Sequence, residues 1–335
     1  MADGDRPEYR IFGMELSPYS RKVLSYFRYK GIPHRWILRD ATQQAEFQRY
    51  AKLSLVPLVV TPEGEGIQDS TPILERFEAL FPEPSIHPPD PALAFLSALL
   101  EEYGDEWGNK PMFHYRWTYE PDQRSAAERI ARDMMPGLDA ASLATAADAV
   151  RTRMVPRLSF VGSTPATAPI IEESFVREIA LLDAHLARRP YLFGGRPAFA
   201  DFGVAPQIHQ AATDPTPGAI VRERAPRVAA WIERMQSPRA EGPFEAWSAL
   251  APTLEPLLRD EVGGTFLPWS AANAAALAAG EKRFRVELGG RPFEQETQKY
   301  HARSLAALRA RYAAVADRSA LDPILARTGC LPFLA

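Results

Sequence analysis

Residues 9–33 read YRIFGMELSPYSRKVLSYFRYKGIP, and this stretch decides the fold. Tyr9 to Met14 is a short apolar run suited to a buried strand, ending at the turn-like Glu15-Leu16-Ser17-Pro18. Ser17 is a good helix N-cap, Pro18 suits the first helical position, and Val23, Leu24 and Phe27 share one face of the helix that follows. Gly31 and Pro33 stop it, so the stretch is a complete strand-turn-helix unit. Working outward, His34 to Arg39 supplies a second strand, Gln43 to Lys52 a second helix, and Leu55 to Val60 a third strand that contains Pro57. Proline has no N–H for a sheet ladder, so it predicts an edge strand, a strand start or a cis peptide at a tight turn. Glu63-Gly64-Glu65-Gly66 has hairpin-turn composition, and Ile67-Gln68-Asp69 reads as a short return strand. Thr71-Pro72 then opens a helix with Ile73, Leu74, Phe77, Leu80 and Phe81 on one stripe. The order βαβαββα predicts an α/β domain over residues 1–82, a mixed sheet with helices on both faces and its antiparallel hairpin at the end.

A linker over residues 83–91 follows. The stretch Pro-Glu-Pro-Ser-Ile-His-Pro-Pro-Asp-Pro at 82–91 holds five prolines in ten positions, which neither a helix nor a central strand accepts. Beyond it, over residues 92–254, helical apolar spacing recurs at Ala92–Tyr103, Arg124–Met135, Ala141–Met154, Ile170–Arg188, Asp201–Ala212 and Val228–Met235, which predicts an all-α bundle. Residues 255–335 form an extension of another kind. Phe284, Val286 and Leu288 alternate with Arg285 and Glu287 before Gly289-Gly290, as a half-buried strand does, and a helix with Leu305, Leu308, Tyr312 and Val315 on one face comes next. No internal repeat is visible.

Composition excludes several classes of function. A chain of 335 residues exceeds the usual single-core size, and its 46% hydrophobic and 24% charged residues suit a globular protein with a large core. The formal charge of −3 is spread along the chain without a basic run long enough to track a phosphate backbone, so nucleic acid is not an expected partner. The one cysteine, Cys330, can form no internal disulfide, and beside Leu331 and Phe333 it reads as a small buried hydrophobe. The N-terminus lacks the basic-then-apolar pattern of an export signal, and no apolar run is long enough for a membrane span, so a cytoplasmic location is expected. The six histidines lie far apart without ligand spacing, and no metal is expected.

Three short motifs in register carry the functional reading: Ser17-Pro18-Tyr19-Ser20 between the first strand and helix, Val56-Pro57 before the third strand, and Asp69-Ser70 before the third helix. Together they resemble the glutathione transferase family, through residues 7–82 by motif and 90–250 by helical architecture. The resemblance implies a thioredoxin-like N-terminal domain, a helical C-terminal domain, glutathione as co-substrate with no other cofactor, and a homodimer. It implies that Ser17 contacts the glutathione sulfur, that the backbone of Val56 pairs with the cysteinyl unit because Pro57 is cis, and that Asp69 and Ser70 receive the γ-glutamyl end. Elementary chemistry agrees. A helix N-terminus with converging donors favours the thiolate, which is the nucleophile, and lowering a thiol pKa by two units takes about 2.7 kcal/mol. Asp69 suits an α-ammonium and a serine hydroxyl suits a carboxylate.

Other readings stand beside these. Ser17 as a plain cap gives the same sequence, and Tyr9, Tyr19 and Ser20 compete for the thiolate-stabilising role. Tyr9 lies early in its strand and Ser20 within the first helical turn, so Ser17 leads. Lys52 is a candidate for the glycyl carboxylate, although Leu55 stands where plant-type serine members often carry lysine. Serine where glutaredoxin-like members carry cysteine excludes a mixed disulfide at that position, so the enzyme is expected not to be a cysteine-dependent thiol transferase. Conjugation to a small hydrophobic electrophile, or peroxide reduction, remains. The segment Trp107 to Tyr119, with Met112, Phe113, His114, Tyr115 and Trp117, is either helix-packing core or acceptor wall, and Met14 and Glu15 are further candidate walls. Ala198 stands where the family carries the serine or threonine of a capping box, so that helix start is held by Asp201, by packing of Phe199, or in a way that differs from the family. The extension reads as packing, as a cover for the acceptor site or as a dimer surface. The rival to the enzyme is a non-catalytic binding or scaffold protein with the same fold.

Overall fold

The computed structural model of the chain describes residues 8–335, so the reading of the N-terminus as lacking an export signal falls on residues outside it. The first elements are β1 (Tyr9–Gly13), α1 (Pro18–Lys30), β2 (His34–Leu38), α2 (Gln44–Tyr50), β3 (Leu58–Val60), β4 (Gly66–Gln68) and α3 (Ser70–Leu80), in the predicted order. The sheet runs β2-β1-β3-β4, with β1 parallel to β2 and the other two pairs antiparallel. Strand alternation sends Ile11 and Val59 into one core with Phe27, Ile73 and Phe77, and sends Phe12, Leu58 and Val60 into another with Phe47. Each face therefore needs its own helical cover, α1 and α3 on one side and α2 on the other.

Pro57 stands just before β3, and the Val56–Pro57 peptide is cis. The edge-strand option does not hold, because β3 lies between β1 and β4. The first helix begins as its residues dictate: Ser17 Oγ accepts the Ser20 N–H at 3.2 Å, and Pro18 occupies the first turn. It ends at Gly31, whose φ of 62° only glycine adopts without cost.

The helical part comprises α4 (Pro91–Tyr103), a π-helical turn at Gly104–Gly108, α5 (Asn109–Thr118), α6 (Glu120–Met134), α7 (Ala140–Met154), α8 (Ala168–His185), α9 (Phe199–Ala212), α10 (Pro215–Arg224) and α11 (Pro226–Arg234). The helix α5 shows no amphipathic period because it is buried on nearly every side, from Lys110 to Trp117. Two glycines set the contact of α4 with α9: a Cβ on Gly104 would stand 2.6 Å from the Gly203 carbonyl carbon, and one on Gly203 would stand 2.6 Å from Glu101 Cα. Asp201 holds the start of α9 without a cap serine. Its carboxylate accepts the N–H groups of Ala198 and Leu192 and the Trp231 indole N–H, at 2.8, 2.9 and 2.9 Å.

The extension is larger than one strand and one helix. The helix α12 (Trp247–Leu257) continues through a π-helical stretch, Leu258–Phe266, into α13 (Leu267–Ala278), so the helical path crosses residue 255 unbroken. The predicted strand is β5 (Arg283–Leu288), and it pairs antiparallel with β6 (Arg291–Glu296) across Gly289 and Gly290, both at positive φ. Next come α14 (Lys299–Ala313), which buries Leu305, Leu308 and Tyr312, then α15 (Leu321–Arg327) and α16 (Leu331–Leu334). This tail shares the helical core. Trp269 and Phe293 lie 5.7 and 5.8 Å from the Trp107 ring, and Lys110 Nζ donates to Gln295 Oε1 at 2.8 Å. Cys330 is fully buried against the Leu258 carbonyl, and burial pushes its thiol up to about 11. Among the described residues no helix is long and apolar enough to cross a membrane.

Candidate active site

The loop between β1 and α1 is held from the helical part of the molecule. Arg116 on α5 donates to the Leu16 carbonyl at 3.0 Å, and Gln210 on α9 donates to the Glu15 carbonyl at 2.9 Å. Arg116 is itself fixed by the buried Asp214, at 2.7 Å. The Glu15 carboxylate takes the Trp36 indole N–H and an Arg21 N–H, both at 2.9 Å. Glu15 is thus engaged within its own domain, and of the two candidate walls in this loop it is Met14 that faces the apolar cavity described below.

Four hydroxyls were candidates for the reacting position, and the structure separates them. Tyr9 packs edge-on against Phe27 and Phe77, and Tyr19 donates to the Asp105 carbonyl at 2.9 Å. Ser20 is fully buried and accepts the Met14 N–H at 3.3 Å. Ser17 is half-buried, and its oxygen accepts the Ser20 N–H while no described residue accepts its proton.

Two cavities adjoin along the start of α1 and the loop at residues 53–55. The first, about 520 Å³, is lined by Val56, Pro57, Asp69 and Ser70, together with Tyr19, Lys52 and Tyr300. The second, about 680 Å³, is lined by Ser17 with Met14, Met112, Phe113, Trp117, Met134 and Met154, and has Arg39 and Arg153 among its polar groups. Four predicted site residues thus meet in one cavity, and the fifth, Ser17, opens into its neighbour. The aromatic segment divides: Met112, Phe113 and Trp117 reach the second cavity, while Trp107 and Tyr115 are core, packed on Trp269 and Phe175.

The first cavity is braced from behind. Gln68 accepts the N–H groups of Lys52 and Leu53 at 2.8 and 2.9 Å and donates to the carbonyls of Leu53 and Leu55, both at 2.8 Å, which fixes the loop leading to Val56. Val56 precedes β3 and so stands outside its ladders. Asp69 has a φ of 79°, a backbone conformation that costs about 1–3 kcal/mol outside glycine, and its carboxylate does not cap α3. Ser70 is the first residue of α3. Below lies a buried ion cluster in which Lys22 meets Glu101, Asp105 at 2.6 Å and Thr71 at 2.9 Å. Burial opposes the Lys22 charge, but the two carboxylates outweigh it and raise its pKa; burial pushes the Asp105 carboxyl up to about 7.

Reading the sequence did not find Tyr300, Gln68, Arg116 or Gln210. Gln68 lies between two motifs that were read, and its side chain carries no signal beyond polarity. The other three reach the site from elements remote in sequence.

The comparisons with known proteins agree with this architecture. The family models of the glutathione S-transferase N-terminal domain and C-terminal domain match residues 11–85 and 127–234. An isoprene-epoxide–glutathione S-transferase of Rhodococcus sp. (strain AD45) is 24% identical over 236 residues, covering 66% of this chain and 92% of that protein. Among solved structures, a glutathione S-transferase of Methylobacterium radiotolerans in complex with glutathione sulfonate is 22% identical, with 71% of this chain and 96% of that one covered and a TM-score of 0.43. A beta-etherase of Sphingobium sp. strain SYK-6 is 17% identical, with 74% and 98% covered and a TM-score of 0.45. Two domain models of a single family, in chain order and together spanning more than half of the sequence, establish that the chain belongs to the glutathione S-transferase family.

Proposed function

We propose that this protein is an enzyme that holds glutathione in the first cavity and presents its thiolate, through Ser17, to a small hydrophobic electrophile in the second. The observation that carries this reading is the state of the Ser17 hydroxyl. It accepts a backbone N–H at 3.2 Å, lines the second cavity two residues before Tyr19, which lines the first, and keeps its proton free to donate to a sulfur anion. Together with the positive end of α1, that donor favours the thiolate over the thiol. The thiol proton leaves to solvent, the sulfur forms a carbon–sulfur bond, and the electrophile loses its leaving group or opens its ring. Positioning and nucleophile activation supply the catalysis.

The remaining roles follow from the chemistry of the tripeptide. Val56 offers backbone groups outside the ladders, so the cysteinyl unit docks like an added strand. Asp69 takes the γ-glutamyl ammonium, Ser70 its carboxylate, and Lys52 the glycyl carboxylate. Methionines on the walls of the second cavity adapt to varied shapes, which suits a small apolar acceptor. The relative named for an isoprene epoxide makes a small epoxide the first electrophile to try.

The test is the ultraviolet absorbance of bound glutathione thiolate across pH, for the protein and for Ser17→Ala. Thiolate appearing well below the free-thiol pKa in the protein, and only near it in the variant, is the expected result. Glutathione that does not bind, or that titrates alike in both proteins, overturns the proposal and leaves the scaffold alternative standing.

A further inference from the structure

The extension does more than pack. Its helix α14 begins at the first cavity, and Tyr300, in the first turn, lines that cavity together with Asp69 and Ser70. The Tyr300 hydroxyl lies 3.3 Å from each carboxylate oxygen of Asp69, across 231 positions of sequence.

Packing does not explain this placement. The Tyr300 side chain is 53% exposed, and its aromatic neighbour is His301, with ring centroids 6.3 Å apart. The backbone that carries it is nevertheless firmly held. Asn273 bonds both the N–H and the carbonyl of Gln298, at 2.8 and 2.9 Å, while His301 pairs with Glu106 and lies 4.8 Å from the Trp269 ring. A half-exposed phenol on a rigid support, aimed at a carboxylate in a cavity, has the form of a binding group with its supporting shell.

We infer that Tyr300 is a specificity residue for the free α-amino group of the γ-glutamyl unit. A phenol has one proton and two lone pairs, so donating to Asp69 leaves the Tyr300 oxygen able to accept. An ammonium has three protons to place, and Asp69 with the Tyr300 oxygen forms a paired acceptor for two of them. The ring closes the space into which an acyl group on that nitrogen would extend. The site therefore takes thiol peptides that begin with an unblocked amine and discriminates against N-acylated ones. This inference rests on the glutathione reading of the first cavity.

Calorimetric titration of glutathione and of N-acetyl-glutathione into the protein and into Tyr300→Phe tests it. Removing the hydroxyl while keeping the ring is expected to weaken glutathione about tenfold and to leave the N-acetyl analogue within about twofold, so that discrimination falls by a similar factor. If the protein binds glutathione and Y300F binds it equally well, or if both ligands weaken alike, this inference is overturned and the cavity assignment stands. If the protein itself does not bind glutathione, the cavity assignment fails and takes the inference with it.

Discussion

Glu178 on α8 is a buried carboxyl whose removal should stabilise the protein, by an amount that depends on pH. It is 2% exposed, its Oε1 has no partner among the described residues, and Glu261 lies beside it. Burial raises its pKa, the Glu261 carboxylate raises it further, and the Tyr103 hydroxyl pulls it back only in part, leaving it at about 8 against an ordinary 4.5. Between those two pH values the unfolded chain gives up this proton while the native chain keeps it, so stability falls as pH rises through the window. At pH 7 the accumulated cost is about 3 kcal/mol. Glu178→Gln keeps the shape, can still accept from Tyr103, and has no proton to lose. Its gain should be near zero at the ordinary carboxyl pKa, grow by about 1.4 kcal/mol per pH unit and reach about 3 kcal/mol at neutrality. Urea unfolding of both proteins at pH 5, 6, 7 and 8 reads this directly. A difference that stays constant over that range would show that Glu178 ionises as an ordinary carboxyl in the native state, and the burial argument would fail.

Two further substitutions probe the site and its support. Asp69→Asn keeps a residue that tolerates positive φ while removing the charge, so glutathione affinity measured by calorimetry should fall about tenfold to a hundredfold with little change in the urea midpoint; unchanged affinity would remove Asp69 from the binding site. Gly203→Ala places a Cβ 2.6 Å from Glu101 Cα, and the overpacking should cost about 1–3 kcal/mol in urea unfolding, whereas an unchanged midpoint would mean that α4 and α9 separate freely.

The thioredoxin-like domain was legible because its information is local. Ser17, Pro18 and Gly31 mark the two ends of α1 by their own side chains or lack of one, and the alternation of Ile11 and Phe12 foretells a sheet covered on both faces. The family resemblance, not spacing alone, grouped Val56, Pro57, Asp69 and Ser70; they meet because β3 and β4 run antiparallel with Leu58 opposite Gln68, which sets the start of one strand beside the end of the other. The helix α5 was not legible, since burial on all sides erases the periodicity by which a helix is recognised. Nor was β6: Arg291-Pro292-Phe293-Glu294-Gln295-Glu296 has strand alternation at Phe293 and Gln295, but the inward Gln295 is polar and is satisfied by Lys110 and Trp269. Polar groups buried in pairs are invisible until both partners are placed.

Residues of the tail could not be placed in the site from sequence for a different reason. An amphipathic helix announces that it needs a cover without naming it, and α14 finds its cover on α4, where Tyr312 meets Phe95 at 5.8 Å, and on α3, where Arg311 pairs with Glu75. Its register there, and therefore the position of Tyr300, follows from contacts with Asn273 and Trp269 on α13 and from others about 200 or more residues away, at Asp69, Glu75, Phe95 and Glu106. Those contacts also decide how firmly the site is closed. A tail held by surface charges alone could open at small cost, because exposed ion pairs contribute about 0–1 kcal/mol each. This tail instead puts Trp269 and Phe293 into the core beside Trp107 and seats Gln295 on the buried Lys110. Releasing it would expose two large aromatic rings, a cost of several kcal/mol, and take from the buried Lys110 one of its two acceptors, leaving it the Val161 carbonyl at 3.1 Å. Local opening of the tail is then coupled to opening of the helical core, so the backbone that carries Tyr300 stays at the first cavity while the domain is folded.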